Sequence, residues 1–408
     1  MQVDKSTGSI ADGPGYAARP RSVAIARGAV ERAEARQHDP GDAWFWACAA
    51  LALALHLSLL LRRPGLWGGA DLLLHLRLMQ LFGEAPALRS VYPPAYHALG
   101  ALLSPWIGLA AYTRLFAFAA AVLYLAGFRS FQRAAALPAA CAALAALWPY
   151  TFCFSWCLPK VEAAGYGLAF FALGFLVRRR YAAAALALAA TFWVHTLAAL
   201  FLGLAGGVWA LARRDRYALG ALAAGTLGFA PLYLAHLAAG CTPDGALMFS
   251  QNLRPTASWS SVQIAGVIAL LASPPMLALA CLGARPLWRR DRALGVLCAV
   301  LVVLYLNELW LAPFPTSTAL DMLRGLSVLG VPVAIAAGLA LTARPSWAAW
   351  LLAGCALWAI ACVAVVVPRS CHTRAIAVEE LRDLEVARCR IQWRGPAIHR
   401  PPTTPLGE

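Results

Sequence analysis

Apolar runs recur along almost the whole chain, and they limit what it can fold into more than any other feature. They fall at roughly 43–62, 111–128, 134–150, 162–178, 181–194, 197–211, 217–239, 262–283, 293–311, 323–343 and 346–367. A helix needs about 20 apolar residues to cross a bilayer. The composition agrees: 61% of the 408 residues are hydrophobic and 13% are charged, against roughly 25% charged in a soluble domain. The reading is an all-α polytopic membrane protein. It has about eleven transmembrane helices and, in a long first outer loop, two short interfacial helices.

The formal net charge is +15, carried almost wholly by arginine, since Lys5 and Lys160 are the only lysines. No motif for binding DNA or RNA accompanies that charge, so nucleic acid is not an expected partner. Most of the arginines fall in short loops between apolar runs, as the positive-inside rule requires. The run 181–211 decides the topology. As one helix it would be about 46 Å long at 1.5 Å per residue. It would then separate Arg178–Arg180 from Arg213 and Arg214 across the bilayer. As two short helices turning at His195 it keeps both clusters on one side. With the N-terminus inside, the inner loops carry Arg129 and Arg133, Arg178 to Arg180, Arg213 to Arg216, Arg285 to Arg292, and Arg344.

The domain reading follows. Residues 1–42 are a polar, Gly- and Pro-containing tail expected to be disordered and cytoplasmic; it is too long and too acidic for a signal peptide. Residues 43–367 are the membrane domain, with its first outer loop at 63–110. Residues 368–408 form a C-terminal tail expected outside. The expected location is multi-pass in a plasma (inner) membrane. Six of the 11 cysteines (Cys48, Cys141, Cys281, Cys298, Cys355, Cys362) sit in apolar runs and read as core filler. Cys153 and Cys157, and Cys371 and Cys389 in the tail, leave a disulfide open, and no zinc spacing is visible.

Ionisable residues near lipid are functional suspects, and on this topology they gather at one face. The first loop reads ADLLLHLRLMQLFGEAPALRSVYPPAYHALG. Asp71 and His75 share a helix face at i and i+4. Pro86 ends that helix, and Pro93 and Pro94 open a second that carries Tyr96 and His97. Arg114 stands at the outer end of the second span. Lys160 and Glu162 open the fourth, and His195 marks the turn of the fifth and sixth. His236 and Asp244, Asn307 and Glu308, and Asp321 and Arg324 flank later outer ends.

Asp71, the turn Tyr92-Pro93-Pro94-Ala95-Tyr96-His97, Arg114, His195 and the stretch following Arg324 resemble the GT-C superfamily of integral membrane glycosyltransferases. The resemblance extends from the first span to about Ala343. It implies transfer of a sugar from a polyprenyl-phosphate carrier to a lipid, glycan or protein acceptor, outside the cytoplasm. A first-loop carboxylate then serves as catalytic base or metal ligand. Many members have two adjacent acidic residues there; here Gly68, Gly69 and Ala70 precede a single Asp71.

The resemblance therefore assigns Asp71 as base, with His75 as its partner. Arg324, Arg114 and Lys160 bind the donor phosphate, and Tyr92, His97, His195, Glu162 and Glu308 line the acceptor side or the pocket. A divalent cation, magnesium or manganese, is the open alternative for Asp71 and His75, although two ligands do not make a site. Each residue also has a plainer reading. Asp71 is a good helix cap. Tyr92 suits an aromatic belt, and Arg114 suits snorkelling to headgroups. Lys160 and Glu162, or Asp321 and Arg324, would make local ion pairs, and His195 a buried core histidine. The rival functions are a transporter or lipid flippase, for which no internal repeat is visible, and a non-catalytic subunit of the same fold.

Overall fold

A computed structural model describes residues 40–61, 67–68, 70–80, 82, 93–150, 161–238, 261–307, 322–370, 374–375, 384–387 and 390–393. The helices are α1 (Pro40–Leu61), α2 (Ala70–Gln80), α3 (Ala95–Ile107), α4 (Leu109–Ala134), α5 (Ala139–Ala146), α6 (Glu162–Val177), α7 (Tyr181–Val194) and α8 (Thr196–Ala212). They continue as α9 (Arg216–Leu227), α10 (Ala230–Ala238), α11 (Ser261–Leu271), α12 (Pro274–Arg290), α13 (Arg292–Tyr305), α14 (Met322–Thr342) and α15 (Pro345–Ser370). Among the described residues, strand pairing is confined to two short antiparallel pairs. Strand β1 (Trp67–Gly68) pairs with β2 (Arg374–Ala375), and β3 (Leu384–Ala387) with β4 (Arg390–Trp393).

Five stretches among the described residues are long and apolar enough to cross a membrane: Asp42–Leu61, Leu109–Ala134, Arg216–Leu234, Gly325–Thr342 and Pro345–Val365. Shorter apolar helices lie between them. This is a membrane protein with a helical membrane domain. Two of the expected runs differ from the structure. Within the run 134–150, α5 is only eight residues long and ends before Leu147 and Trp148, and a further helical stretch opens at Pro149. A residue before proline is driven out of the helical region. The run 262–283 breaks at Ser273, whose φ of 51° is left-handed, before Pro274 starts α12. Of the cysteines expected in the core, Cys281 is exposed and the other five are buried.

The run 181–211 is two helices, as expected, with the single residue His195 between them. The Tyr181 hydroxyl at the start of α7 donates to Asp215 just beyond α8, at 2.9 Å. The two helices therefore fold back on each other, and Arg178–Arg180 and Arg213–Arg216 lie at the same end. Further loop and helix-end contacts join them there. Arg129 on α4 pairs with Asp42 on α1, and Arg213 with Asp291 before α13. Arg178 reaches the Ser130 hydroxyl at 3.1 Å, and Arg290 reaches the Ala136 carbonyl at 2.7 Å. This is the basic end of the bundle.

Three helices end there in the same way. After α4, α6 and α8 the backbone turns left-handed at Ala136 (φ 51°), Arg179 (φ 59°) and Arg214 (φ 54°). Each turn closes with paired bonds, such as Arg180 N–H to the Phe175 carbonyl and Arg179 N–H to the Leu176 carbonyl, at 2.8 and 2.9 Å. That is a Schellman cap. Glycine usually occupies the left-handed position; here it is absent, so the sequence carried no signal for these turns.

Helix α14 is the centre of the bundle. Of the apolar window Gly325–Thr342, 94% is buried inside the protein, against 28–39% for the other long spans. Lipid tails give no hydrophobic drive for helices to associate, so close packing over small residues must supply it. Gly283 of α12 lies against the Ala336 backbone, and Gly338 against Cys141 of α5. Gly330 takes the Trp148 ring, whose Nε1–H donates to the Leu326 carbonyl at 3.0 Å. Gly127 of α4 meets the Gly167 backbone of α6 in the same manner.

A side chain at Gly283 has no room without parting α12 from α14. Gly283→Val should therefore cost about 1–3 kcal/mol, the usual range for overpacking, read as a lower melting temperature in detergent. Gly207→Ala, at a position where nothing lies within 4 Å of an added Cβ, should be neutral or slightly stabilising. Cysteines placed singly at Arg180 and Arg214, with native cysteines removed, should label from one and the same side of sealed vesicles. Labelling from opposite sides would contradict the α7–α8 hairpin.

Candidate functional site

At the end opposite the arginine turns, the two helices of the first loop pack onto the bundle. The sequence places apolar residues at 72, 76 and 79 along one face of α2, the i, i+4, i+7 spacing of an amphipathic helix. Leu72, Leu76 and Met79 are accordingly buried, in a small second core with Tyr96 of α3, Tyr112 of α4 and Val161 before α6. Val194, at the end of α7, closes it. Gly100 of α3 allows the approach, since Met79 and Tyr112 occupy the space a Cβ would need.

Buried in this contact are two histidines. His75 Nδ1 lies 2.8 Å from His97 Nε2, and the rings stack with centroids 5.1 Å apart. The residues are 5% and 1% exposed. Burial pushes the His97 pKa well below its ordinary value; the neighbouring His75 adds to this, and the Pro93 carbonyl works the other way. In the contact between them one ring donates and the other accepts. Tyr96 stands edge-on to His75 at 5.5 Å. Its hydroxyl is buried and has no hydrogen-bond partner among the described residues, although its backbone carbonyl accepts from the Tyr112 hydroxyl at 2.7 Å. A buried hydroxyl in that state calls for an added partner such as water or a ligand.

A second group adjoins the first through Val161 and Val194. His195 sits in an extended conformation at the α7–α8 break, where its Nδ1 accepts from the Ala198 N–H at 3.2 Å and caps α8. Its ring lies 6.5 Å from that of Tyr166. Gly165 is what lets it in, because a Cβ there would collide with His195. The hydroxyls of Tyr166 and Ser327 share a hydrogen bond of 3.0 Å, which ties α6 to the start of α14. Glu162 is in the first turn of α6, one helical turn before Tyr166.

The sequence-derived residues fall into three sets. His75, His97, His195 and Glu162 are brought to this end together. Asp71 is the second residue of α2, one turn before His75 and inside the helix rather than at its cap. Arg324 is the third residue of α14, one turn before Ser327. Their backbones are placed here, and their side chains lie outside the described residues. Arg114 is half-buried on α4, two residues from both Tyr112 and Phe116. That is about 200° around the helix from each, so it stands on another face from the small core. Lys160, Tyr92 and Glu308 lie outside the described residues, as do Cys153, Cys157, Cys371 and Cys389.

The His75–His97 pairing was not legible, because an i, i+4 relation pointed His75 to Asp71 and nothing local links residues 22 positions apart. Tyr112, Tyr166 and Ser327 carried no signal in the sequence beyond their place in apolar runs. Among the described residues, no group of three or more His, Cys, Asp or Glu side chains has the arrangement of a metal site. The imidazole pair alone does not fit a divalent cation that prefers six oxygen ligands.

No family model and no curated protein sequence matches the chain. Solved structures do. ArnT from Cupriavidus metallidurans in the apo state aligns at TM-score 0.55 and 18% identity, over 84% of this chain and 68% of ArnT. The same enzyme bound to undecaprenyl phosphate aligns at TM-score 0.56 with equal identity and coverage. An Archaeoglobus fulgidus oligosaccharyltransferase tethered to an acceptor peptide aligns at TM-score 0.47 and 14% identity, over 79% of this chain and 54% of that one. Over most of its length the chain thus shares its overall fold with ArnT.

Proposed function

We propose that this chain is a glycosyltransferase that takes a sugar from a polyprenyl-phosphate carrier and passes it to a lipid, glycan or protein acceptor. The observation that carries the reading is the convergence, on a fold shared with ArnT, of α2, α3, the α7–α8 break and the start of α14 at the end away from the arginine turns. The binding of undecaprenyl phosphate by ArnT supports a lipid-linked donor here. We infer about eleven crossings, with the first loop at the membrane surface and the site facing outward. The positive-inside rule supports that orientation. The β1–β2 pair keeps the C-terminal tail beside the first loop, in line with a tail on the same side.

The acceptor's hydroxyl or amide attacks the anomeric carbon. One C–O or C–N bond forms there, the bond from that carbon to the phosphate oxygen breaks, and the carrier leaves as polyprenyl phosphate. Asp71 takes the acceptor's proton. His75, held by His97, borders the carboxylate one turn away on the same helix face. Arg324 grips the departing phosphate, and Lys160 and Arg114 add positive charge as it develops. His195, Glu162, Tyr92 and Glu308 complete the acceptor side. A divalent cation would supply charge at the phosphate, but no step is assigned to one.

Asp71→Asn should abolish transfer from a labelled polyprenyl-phosphate sugar while the protein stays folded and still binds the donor. Asparagine is nearly isosteric, and a carboxylate near a helix start contributes only about 0.3–1 kcal/mol. General-base help is worth roughly 10²–10⁴-fold in rate. The two expectations therefore separate widely in a turnover assay on proteins of matched melting temperature. Turnover near the wild-type rate would remove Asp71 from the mechanism.

Arg324→Ala should weaken binding of the lipid-linked donor, and Arg324→Lys should restore part of it. Guanidinium holds phosphate with two parallel hydrogen bonds, whereas ammonium acts as a point charge. Donor titrations that read the same in wild type and both variants would leave Arg324 a local partner of Asp321.

A further inference from the structure

The arginine turns after α6 and α8 enclose a cavity at the end of the bundle away from the proposed transfer site. We propose that this cavity binds the phosphodiester headgroup of an anionic phospholipid. Its volume is about 340 Å³, within the range of roughly 300–1,000 Å³ typical of small-molecule sites. Arg179, Arg213, Arg214 and Arg216 line it, against one carboxylate, Asp215. That carboxylate is already engaged. It accepts from the Tyr181 hydroxyl at 2.9 Å and from the Ala218 and Tyr217 N–H groups at 3.0 and 3.1 Å. Those backbone donors, Ala218 first, hold its pKa below the ordinary carboxylate value.

Two of the arginines are also committed. Arg213 pairs with Asp291 and lies over the Trp209 ring, and Arg216 lies over the Tyr217 ring at 5.0 Å. Arg179 and Arg214 have no carboxylate within ion-pair distance among the described residues. They occupy the left-handed positions of their two turns, where a side chain costs roughly 1–2 kcal/mol over glycine. The third turn of this shape, at Ala136, lies off the cavity and carries alanine. The turn itself therefore does not ask for arginine. Two guanidiniums carried on fixed backbone turns beside one cavity suit a phosphate group, which each can bind through two hydrogen bonds.

The lipid source is favoured by what surrounds the charge. Leu176, Val177 and Trp209 form an apolar wall of the same cavity. Leu211 and Tyr217 are each 60% exposed, at a level where spanning helices begin and end. Basic pockets between helix ends at the membrane surface are suited to acidic lipid headgroups. A soluble phosphate would use the guanidiniums but not the wall.

The test uses the purified full chain in neutral detergent, with phosphatidylglycerol retention read by native mass spectrometry and stabilisation read by melting. Wild type should hold phosphatidylglycerol over phosphatidylcholine. The double variant Arg179→Gln/Arg214→Gln should bind phosphatidylglycerol roughly tenfold more weakly or worse, from the loss of charge-assisted bonds. Arg180→Gln, in the same turn but off the cavity, should match wild type. Should the double variant fail to fold, the two single variants are read instead, and each should lose binding. Undiminished phosphatidylglycerol binding in folded glutamine variants overturns the site. Displacement of the lipid by a comparable concentration of inorganic phosphate overturns the lipid assignment in favour of a soluble phosphate.

Discussion

The structure depends on one helix being buried on every side inside a membrane. A transmembrane helix that faces lipid needs only apolar side chains. One that faces protein all round must also fit its neighbours, because lipid would otherwise solvate it just as well. Helix α14 meets α5, α11, α12, α13 and α15. It does so over Gly325, Gly330 and Gly338 and over the Gly283 contact from α12. The interior proline, Pro332, removes one backbone donor, which a buried helix tolerates where neighbours or local adjustment satisfy the freed carbonyl. The start of α14 is thereby fixed against α6 through Tyr166 and Ser327, and Arg324 is fixed in depth one turn away. The placement of the proposed phosphate ligand is a consequence of core packing.

The two ends of the bundle are built by different physics. At the basic end, ion pairs and arginine-to-carbonyl bonds join α1, α4, α6, α8, α12 and α13. Water and headgroups screen such pairs, so each adds little to stability. Their effect is to fix which helix ends lie together. At the other end the small core under the first loop is made of apolar side chains and aromatic and imidazole rings, beside the helix starts that carry Asp71, Glu162 and Arg324. That end leaves the Tyr96 hydroxyl without a partner among the described residues. A buried hydroxyl in that state is suited to receive a polar group from outside the chain.

Much of this was legible in the sequence, and what escaped did so for identifiable reasons. Hydropathy exposes crossings because the bilayer thickness sets a length. Arginine position shows which helix ends belong together, and the two signals led to the hairpin at His195, which no local motif marks. The breaks at Trp148 and Ser273 were missed inside continuous apolar runs, although Pro149 and Pro274 stood in plain view. Hydropathy alone does not separate a short buried helix from a full span. The left-handed turns at Arg179 and Arg214 carry no glycine, so composition concealed them. The site was half legible. Loop polarity singled out His75, His97, His195 and Glu162, but helix spacing could offer His75 only Asp71 as a partner, and the tertiary contact with His97 was beyond its reach.

The contact with His97 bears on the proposed chemistry, because an imidazolium at His75 would stabilise the Asp71 carboxylate and lower its basicity, whereas a neutral ring would not. Burial works against a second proton on His97, and the 2.8 Å contact then holds one donor and one acceptor, with the tautomer deciding which ring donates. A base at Asp71, as proposed, keeps its affinity for a proton to the extent that burial holds its histidine neighbours neutral.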